Sequence, residues 1–427
     1  MPPLEEHPLR HVLNAEVHAR PPVPLQCPEA VTYLALLHDA NSTRDKAEHI
    51  KLLAAQLGLS EPDTDSGHVS LDAGEFRLKW ERHNEFSTYT FFRHADAVDV
   101  SDEHALLSVP TVWRNSIPGQ LVVATHIAIR KAGPTSPEDA ISASRSTGLP
   151  TVAAQIAGES GWVVTDFHIR DGYSRFLILN ASLTPRQAGR TVQRLLEIET
   201  YRIMALLAFP VAKQVRELLS RAEGELACLM DDMGRTASPD DERAVLDRLT
   251  HLAAEVEQSV ASTTFRFGAA AAYYQLVRQR IADLRETRLP GYPTIEEFME
   301  RRLTPAINTC ATMARRQDDL SSRIARNSQL LRTRVDIELE RQNQQLLAQM
   351  NHRVKLQLHL QKTVEGLSIV AITYYGSQLV HYLAKGAKEM LAPLTPEHIT
   401  AIAIPVIAGL VHFGLRRTRS LLESHDT

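Results

Sequence analysis

The sequence predicts an α+β cytoplasmic N-terminal domain, then a long α-helical, coiled-coil stalk, then a C-terminal two-helix transmembrane hairpin. Three observations predict this. Short alternating and β-branched runs fill residues 1–183, and long uninterrupted helical patterns fill 184–364. Two charge-free apolar stretches fall within 365–415, leaving 416–427 as a cytoplasmic tail. The totals are ordinary for a globular chain: 427 residues, 44% hydrophobic, 23% charged, net charge −4. So even a charge balance argues against a nucleic-acid partner, which demands a basic footprint. Cys27, Cys228 and Cys310 are far apart, match no CxxC or zinc spacing, and fit a reducing compartment. The opening MPPLEEHPLR has no basic stretch followed by an apolar run, so no cleaved signal is expected.

In the first region, Val31 to Leu37 reads as a strand, and Asn41 or Ser42 caps a helix reaching about Leu57 with Ala47, Ile50, Leu53 and Ala54 on one face. Glu75 to Trp80 alternates at period two, and Phe86 to Phe92 is rich in Thr, Tyr and Phe. The two read as an antiparallel hairpin or neighbouring strands. Leu121 to Ile129 is another strand. Trp162 to Ile169 and Arg175 to Leu179 flank the turn signal Asp171-Gly172. Together they predict an antiparallel sheet with helices packed on it.

The texture changes at Thr184-Pro185, a cap with proline at the first helical position. The apolar run YRIMALLAFPVA, from Tyr201, is too short to span a bilayer and reads as buried helix, with a kink at Pro210. Ser238-Pro239 restarts a helix, and another helix ends near Leu289, where Pro290 to Pro293 forces a turn. Thr294 to Glu297 has capping-box spacing, and Thr304-Pro305 opens the longest helix. Its apolar seam has an eleven-residue period through Met313, Ile324, Val335 and Leu346, filled in by Leu320, Leu331, Leu339 and Met350. Gln317, Ser328 and Gln342 interrupt it. Two readings stay open for this seam: a helical hairpin within the chain against segments at 185–289, or a homo-oligomeric stalk through 305–364.

From Gly366 to Ala384 there is no Asp, Glu, Lys or Arg. At 1.5 Å per residue that stretch reaches about 28 Å, near the roughly 30 Å of a bilayer's hydrocarbon core. Ile399 to Leu415 is a second such stretch, with Pro405 and Gly409, both tolerated in membrane helices. The lipid bilayer is therefore the first expected partner. Arg353, Lys355 and Lys362 on one flank, and Arg416, Arg417 and Arg419 on the other, outweigh Lys385 and Lys388 in the loop. Both flanks are thereby assigned to the cytoplasm. Gln378 and His381 are the polar residues of the first segment and are expected to face other helices.

The remaining polar clusters lie near the start. HPLRHVLNAEVHARPP carries His7, His11, Glu16, His18 and Arg20, and KWERHNEF puts Glu81, His83 and Glu85 on the same face of a strand, because side chains alternate. His18, Arg20, Glu81, His83 and Glu85 are the ligand-binding candidates, since imidazole and carboxylate hold metals or move protons. A solvated strand face with cross-strand ion pairs is the plainer reading. The spacing specifies no metal. No Gly-rich phosphate loop, GxSxG or HExxH is present, so no cofactor and no catalytic residue is assigned.

HPLRHVLNAEVHARP, LKWERHNEFSTYTF, LLEIETYRIMALLAFP and the run from QNQQLLAQM into LQKTVEGLSIVAITYY resemble a bacterial family of uncharacterised membrane-anchored proteins, domain of unknown function 3422. The resemblance implies an inner-membrane protein with a cytoplasmic body and implies no activity. The layout is also similar to that of CorA-type divalent-cation channels, but their Gly-Met-Asn motif is missing. The only Tyr-Gly here, Tyr375-Gly376, is followed by Ser377 and Gln378. The function expected from these readings is binding or scaffolding at the membrane. The alternatives are a CorA-like channel and a tethered enzyme in which Glu81, His83 and His18 share a pocket.

Overall fold

The computed structural model describes residues 6–11, 13–14, 21–38, 42–94, 105–133, 151–235, 239–387 and 395–423. Two compact units divide the chain: Met1–Thr236 with Ala244–Ser328, and Ala237–Arg243 with Gln329–Thr427. The sheet and the helices as far as Ser328 thus share one unit.

The first unit is built on a mixed nine-stranded sheet of order β2-β3-β4-β1-β5-β8-β7-β6-β9. Its strands are β1 (Glu29–Leu37), β2 (His68–Asp72), β3 (Arg77–Arg82), β4 (Phe86–His94), β5 (Gln120–Lys131), β6 (Val152–Ile156), β7 (Gly161–Thr165), β8 (Ser174–Asn180) and β9 (Thr287–Arg288). The expected antiparallel sheet is corrected at one place. β5 and β8 pair in parallel, Ile127 opposite Phe176. The β7–β8 hairpin forms at the Asp-Gly signal, where Asp171 (φ 50°) and Gly172 (φ 86°) both take the positive φ that a type I′ turn requires.

Period-two alternation sorts the central strands onto two cores. Leu34, Leu36, Leu78, Trp80, Tyr89 and Phe91 face Ile50 and Leu53 of α1 (Ser42–Gln56) and Trp113 of α2 (Thr111–Asn115). Val31, Tyr33, Phe92, Ile127 and Ile178 face the opposite way. There they join Val192, Leu195 and Leu196 of α3 (Pro185–Leu206) and Val277 and Ile281 of α5 (Pro239–Leu284). Between these two helices runs α4 (Ala208–Arg235). Pro210 stands in its first turn, where a proline lacks no hydrogen bond, and the break falls earlier, at Leu207. The run from Tyr201 is buried helix as read, with Met204, Ala205, Ala208 and Ala212 fully enclosed.

Helix starts follow the expected caps. Thr184 and Gln187 form a full capping box at α3, and Thr294 and Glu297 form another at α6 (Ile295–Arg302). Next comes α7 (Thr304–Gly386), in whose first part the seam residues Met313, Leu320 and Ile324 are buried. Gln317, the polar interruption, donates from Nε2 to Ser259 Oγ at 2.9 Å, and Arg316 pairs with Glu223 at 2.8 Å. Up to Ser328 the helical hairpin within the chain is therefore realised, on α4 and α5.

In the second unit, α7 runs on through Gly366, and Leu339, Leu346, Leu347 and Met350 are exposed. α8 (Pro396–Glu423) follows. The two helices touch: His381 Nδ1 lies 3.0 Å from Thr400 Oγ1, and a side chain at Gly376 would meet Ile407 at 3.2 Å. Among the described residues one helix, Pro396–Gly414, is long and apolar enough to cross a membrane.

Candidate functional site

In the first unit, α3 lies over the strand face that carries Tyr33, Lys79, Glu81, Thr88 and Thr90, and a cavity of about 270 Å³ remains between them. The register explains the grouping. Tyr33 is opposite Thr90 and Thr90 opposite Lys79, while Thr88 is opposite Glu81, so hydroxyls and charges fall in two rows on one face. Phe86 and Phe92 close the ends of the β4 row. From above, α3 presents Gly189, Val192, Gln193, Leu196, Glu197, Thr200 and Tyr201, a stripe at three- and four-residue spacing, and α5 adds Arg280. The approach at one end needs a glycine: a Cβ on Gly189 would sit 2.0 Å from the Val23 carbonyl oxygen. Residues 21–26 are tied along that edge by bonds from Leu25 N to Pro185 O, from Lys79 Nζ to Pro21 O and from Arg77 Nη1 to Pro24 O.

The floor is buried and carries hydroxyls. Thr88 (2% exposed), Thr90, Thr200 and Tyr33 are buried among Phe86, Phe92, Val192 and Leu196. Thr200 donates to Leu196 O at 2.8 Å, leaving its oxygen to accept from Tyr33 OH at 2.8 Å. Burial holds the Tyr33 phenol well above its ordinary pKa, so it stays a neutral donor. Thr88 Oγ1 is different: among the described residues it has no hydrogen-bond partner. A buried hydroxyl left unpaired costs about 1–3 kcal/mol.

Charges ring the more open side in two opposed pairs. Lys79 and Glu81 sit 3.0 Å apart on β3. Glu197 pairs with Arg280 across from α3 to α5, and Gln193 Nε2 donates to its other oxygen at 2.8 Å. His83 stacks on Phe86 with ring centres 4.6 Å apart.

Of the five ligand candidates, Glu81 and His83 meet in this cavity. His18 and Arg20 lie outside the described residues. The shared strand face expected for Glu81, His83 and Glu85 is corrected, because β3 ends at Arg82 and the last two stand in the β3–β4 turn, closed by His83 N to Phe86 O at 2.8 Å. Glu85 turns away to Arg266 and accepts from Tyr273 OH at 2.9 Å. Burial first, then the Glu85 carboxylate, pushes the Tyr273 phenol up. His7 and His11 are exposed, the latter on Glu6 at 2.9 Å. Sequence reasoning missed Tyr33, Lys79, Thr88, Glu197 and Arg280. The signal was available in two places: Thr88 and Thr90 stand between Phe86 and Phe92 on one inward strand face, and Gln193, Glu197 and Thr200 interrupt the apolar stripe of α3.

Gln378 and His381 are half-buried in the second unit, the latter bonded to Thr400. Among the described residues no group of three or more His, Cys, Asp or Glu is placed to hold a metal, and all three cysteines are free thiols.

Fold and site together define a class: a mixed-sheet domain with a partly open cavity under α3, in a chain that also carries a long helix and an apolar one. Within that class, the chain belongs to the family described as "Protein of unknown function (DUF3422)", which it matches over residues 5–422. No curated protein and no solved structure matches it significantly. The likeness to CorA-type channels therefore finds no support, and Tyr375-Gly376 lies inside α7 instead of at a helix end.

Proposed function

We propose that this protein is a membrane-anchored binding protein: the cavity under α3 takes a small polar molecule, and the C-terminal helices hold the domain at the bilayer. The observation that carries the binding role is Thr88, a buried hydroxyl without a partner among the described residues, in a cavity walled by two ion pairs and by apolar side chains. Anchoring rests on α8 together with the charge-free end of α7, which we read as a two-helix transmembrane hairpin in the bacterial inner membrane with both basic flanks cytoplasmic. Small and polar residues of the first helix face the second, Gly376 against Ile407 and His381 against Thr400. Those contacts support an anchor over a pore, since they use these groups in helix packing. The exposed row Leu339, Leu346, Leu347 and Met350 supports homo-oligomerisation through α7 beyond Ser328.

A thermal-shift screen of the detergent-extracted full chain against metabolites tests the binding role. A true ligand at a hundred times its dissociation constant stabilises by about 2.7 kcal/mol and slows amide exchange in β3, β4 and α3. Protection confined to other elements contradicts the assignment.

A further inference from the structure

The lining of this cavity also restricts what it accepts, and the following rests on its being a binding site. Its volume, about 270 Å³, is just under the roughly 300–1,000 Å³ of typical ligand pockets, which suits a small metabolite and is too small for a nucleotide. Its charges cancel: Lys79 is matched by Glu81 and Arg280 by Glu197. A ligand with net charge entering here gives up water without finding a spare counter-charge. A ligand with one positive and one negative group loses nothing by that balance. Its ammonium meets a carboxylate and its carboxylate meets a cation, each already oriented by its neighbour. The interior adds two further demands. Phe86, Phe92, Val192 and Leu196 favour an apolar body, and Thr88 favours a polar atom at its buried end.

The geometry points to a zwitterion of free amino-acid size as the ligand of this cavity, with its charged head between the Lys79–Glu81 and Glu197–Arg280 pairs and its side chain over Thr88. Each charged group of the ligand has an oppositely charged partner on both walls, from the sheet below and from the helices above. The recognition is therefore of charge separation, not of charge.

The test uses the full-length protein in detergent and the free standard amino acids as probes, read by calorimetric titration and melting temperature. At least one amino acid binds, and its carboxamide and its N-acetyl derivative, which each keep only one charge, bind about tenfold more weakly or worse. Thr88→Val keeps the shape of the side chain, leaves the melting temperature unchanged or raised because an unpaired hydroxyl is removed, and weakens that binding severalfold. If the derivatives or a neutral sugar bind as well as the amino acid, the ligand class is wrong while the site stands. If no amino acid binds, the class is likewise overturned. If Thr88→Val also lowers the melting temperature, the hydroxyl is structural and the binding role of the cavity falls with it.

Discussion

Glu286 shows how one side chain here trades electrostatic comfort for a helix start. Its two carboxylate oxygens accept from the backbone of Ile295 at 3.0 Å and Glu296 at 3.1 Å, the first turn of α6. Burial, reinforced by the nearby charges of Glu296 and Glu297, outweighs those hydrogen bonds and lifts its pKa from the ordinary 4.5 to about 6. The sign of the linkage follows from the raised value. Below pH 4.5 the group is protonated in folded and unfolded chains alike. Between pH 4.5 and about 6 the folded chain holds the proton more tightly, so stability falls as pH rises, and above that it stays level. The shift is worth about 2 kcal/mol at 1.36 kcal/mol per unit. Glu286→Gln cannot ionise, so its stability relative to the parent should rise by about that amount from pH 4.5 to 6.5, measured as melting temperature at each pH. A constant difference across that range would show that Glu286 is already ionised when folded.

At the scale of elements, α7 carries two different chemistries on one uninterrupted helix. Its first part buries Met313, Leu320 and Ile324 and satisfies Gln317 on Ser259, while further along Leu339 and Leu346 meet solvent. Gln317→Ala removes the partner of a buried serine and should cost about 1–3 kcal/mol, read as a lower melting temperature of the full chain. A loss below a few tenths would mean that water replaces the amide. Cysteine at Met350 should cross-link two copies under mild oxidation if the exposed part of α7 is an interface. Only uncross-linked chain would count against that assembly. Elements were legible in the sequence wherever a local signal decides them. The caps at Thr184 and Thr294, the Asp-Gly turn, and the period-two alternation that marks β3 all act within a few residues. The parallel pairing of β5 with β8 was not, because strand partners some fifty residues apart leave no trace in periodicity. The same limit hid the site. Glu81 and His83 stood out by residue type, but Thr88, Glu197 and Arg280 join them only through sheet register and the placement of α3 and α5.

For the whole molecule, the question is what surrounds the C-terminal helices. Leu367, Val370, Ile372, Leu379 and Leu383 of α7 and Ile402, Val406, Leu410 and Phe413 of α8 are all exposed. None of the candidate span Pro396–Gly414 is buried inside the protein, which is not how a core helix of a globule behaves. The anchoring proposed above makes lipid the solvent of this surface. The measurement that tests this most directly is fractionation of cells producing the full chain, with an alkaline carbonate wash of the membranes. The account predicts that the chain stays in the washed membrane pellet and moves to the soluble fraction when residues 366–427 are deleted. Full-length chain found in the soluble fraction without detergent, folded and monodisperse, would contradict it.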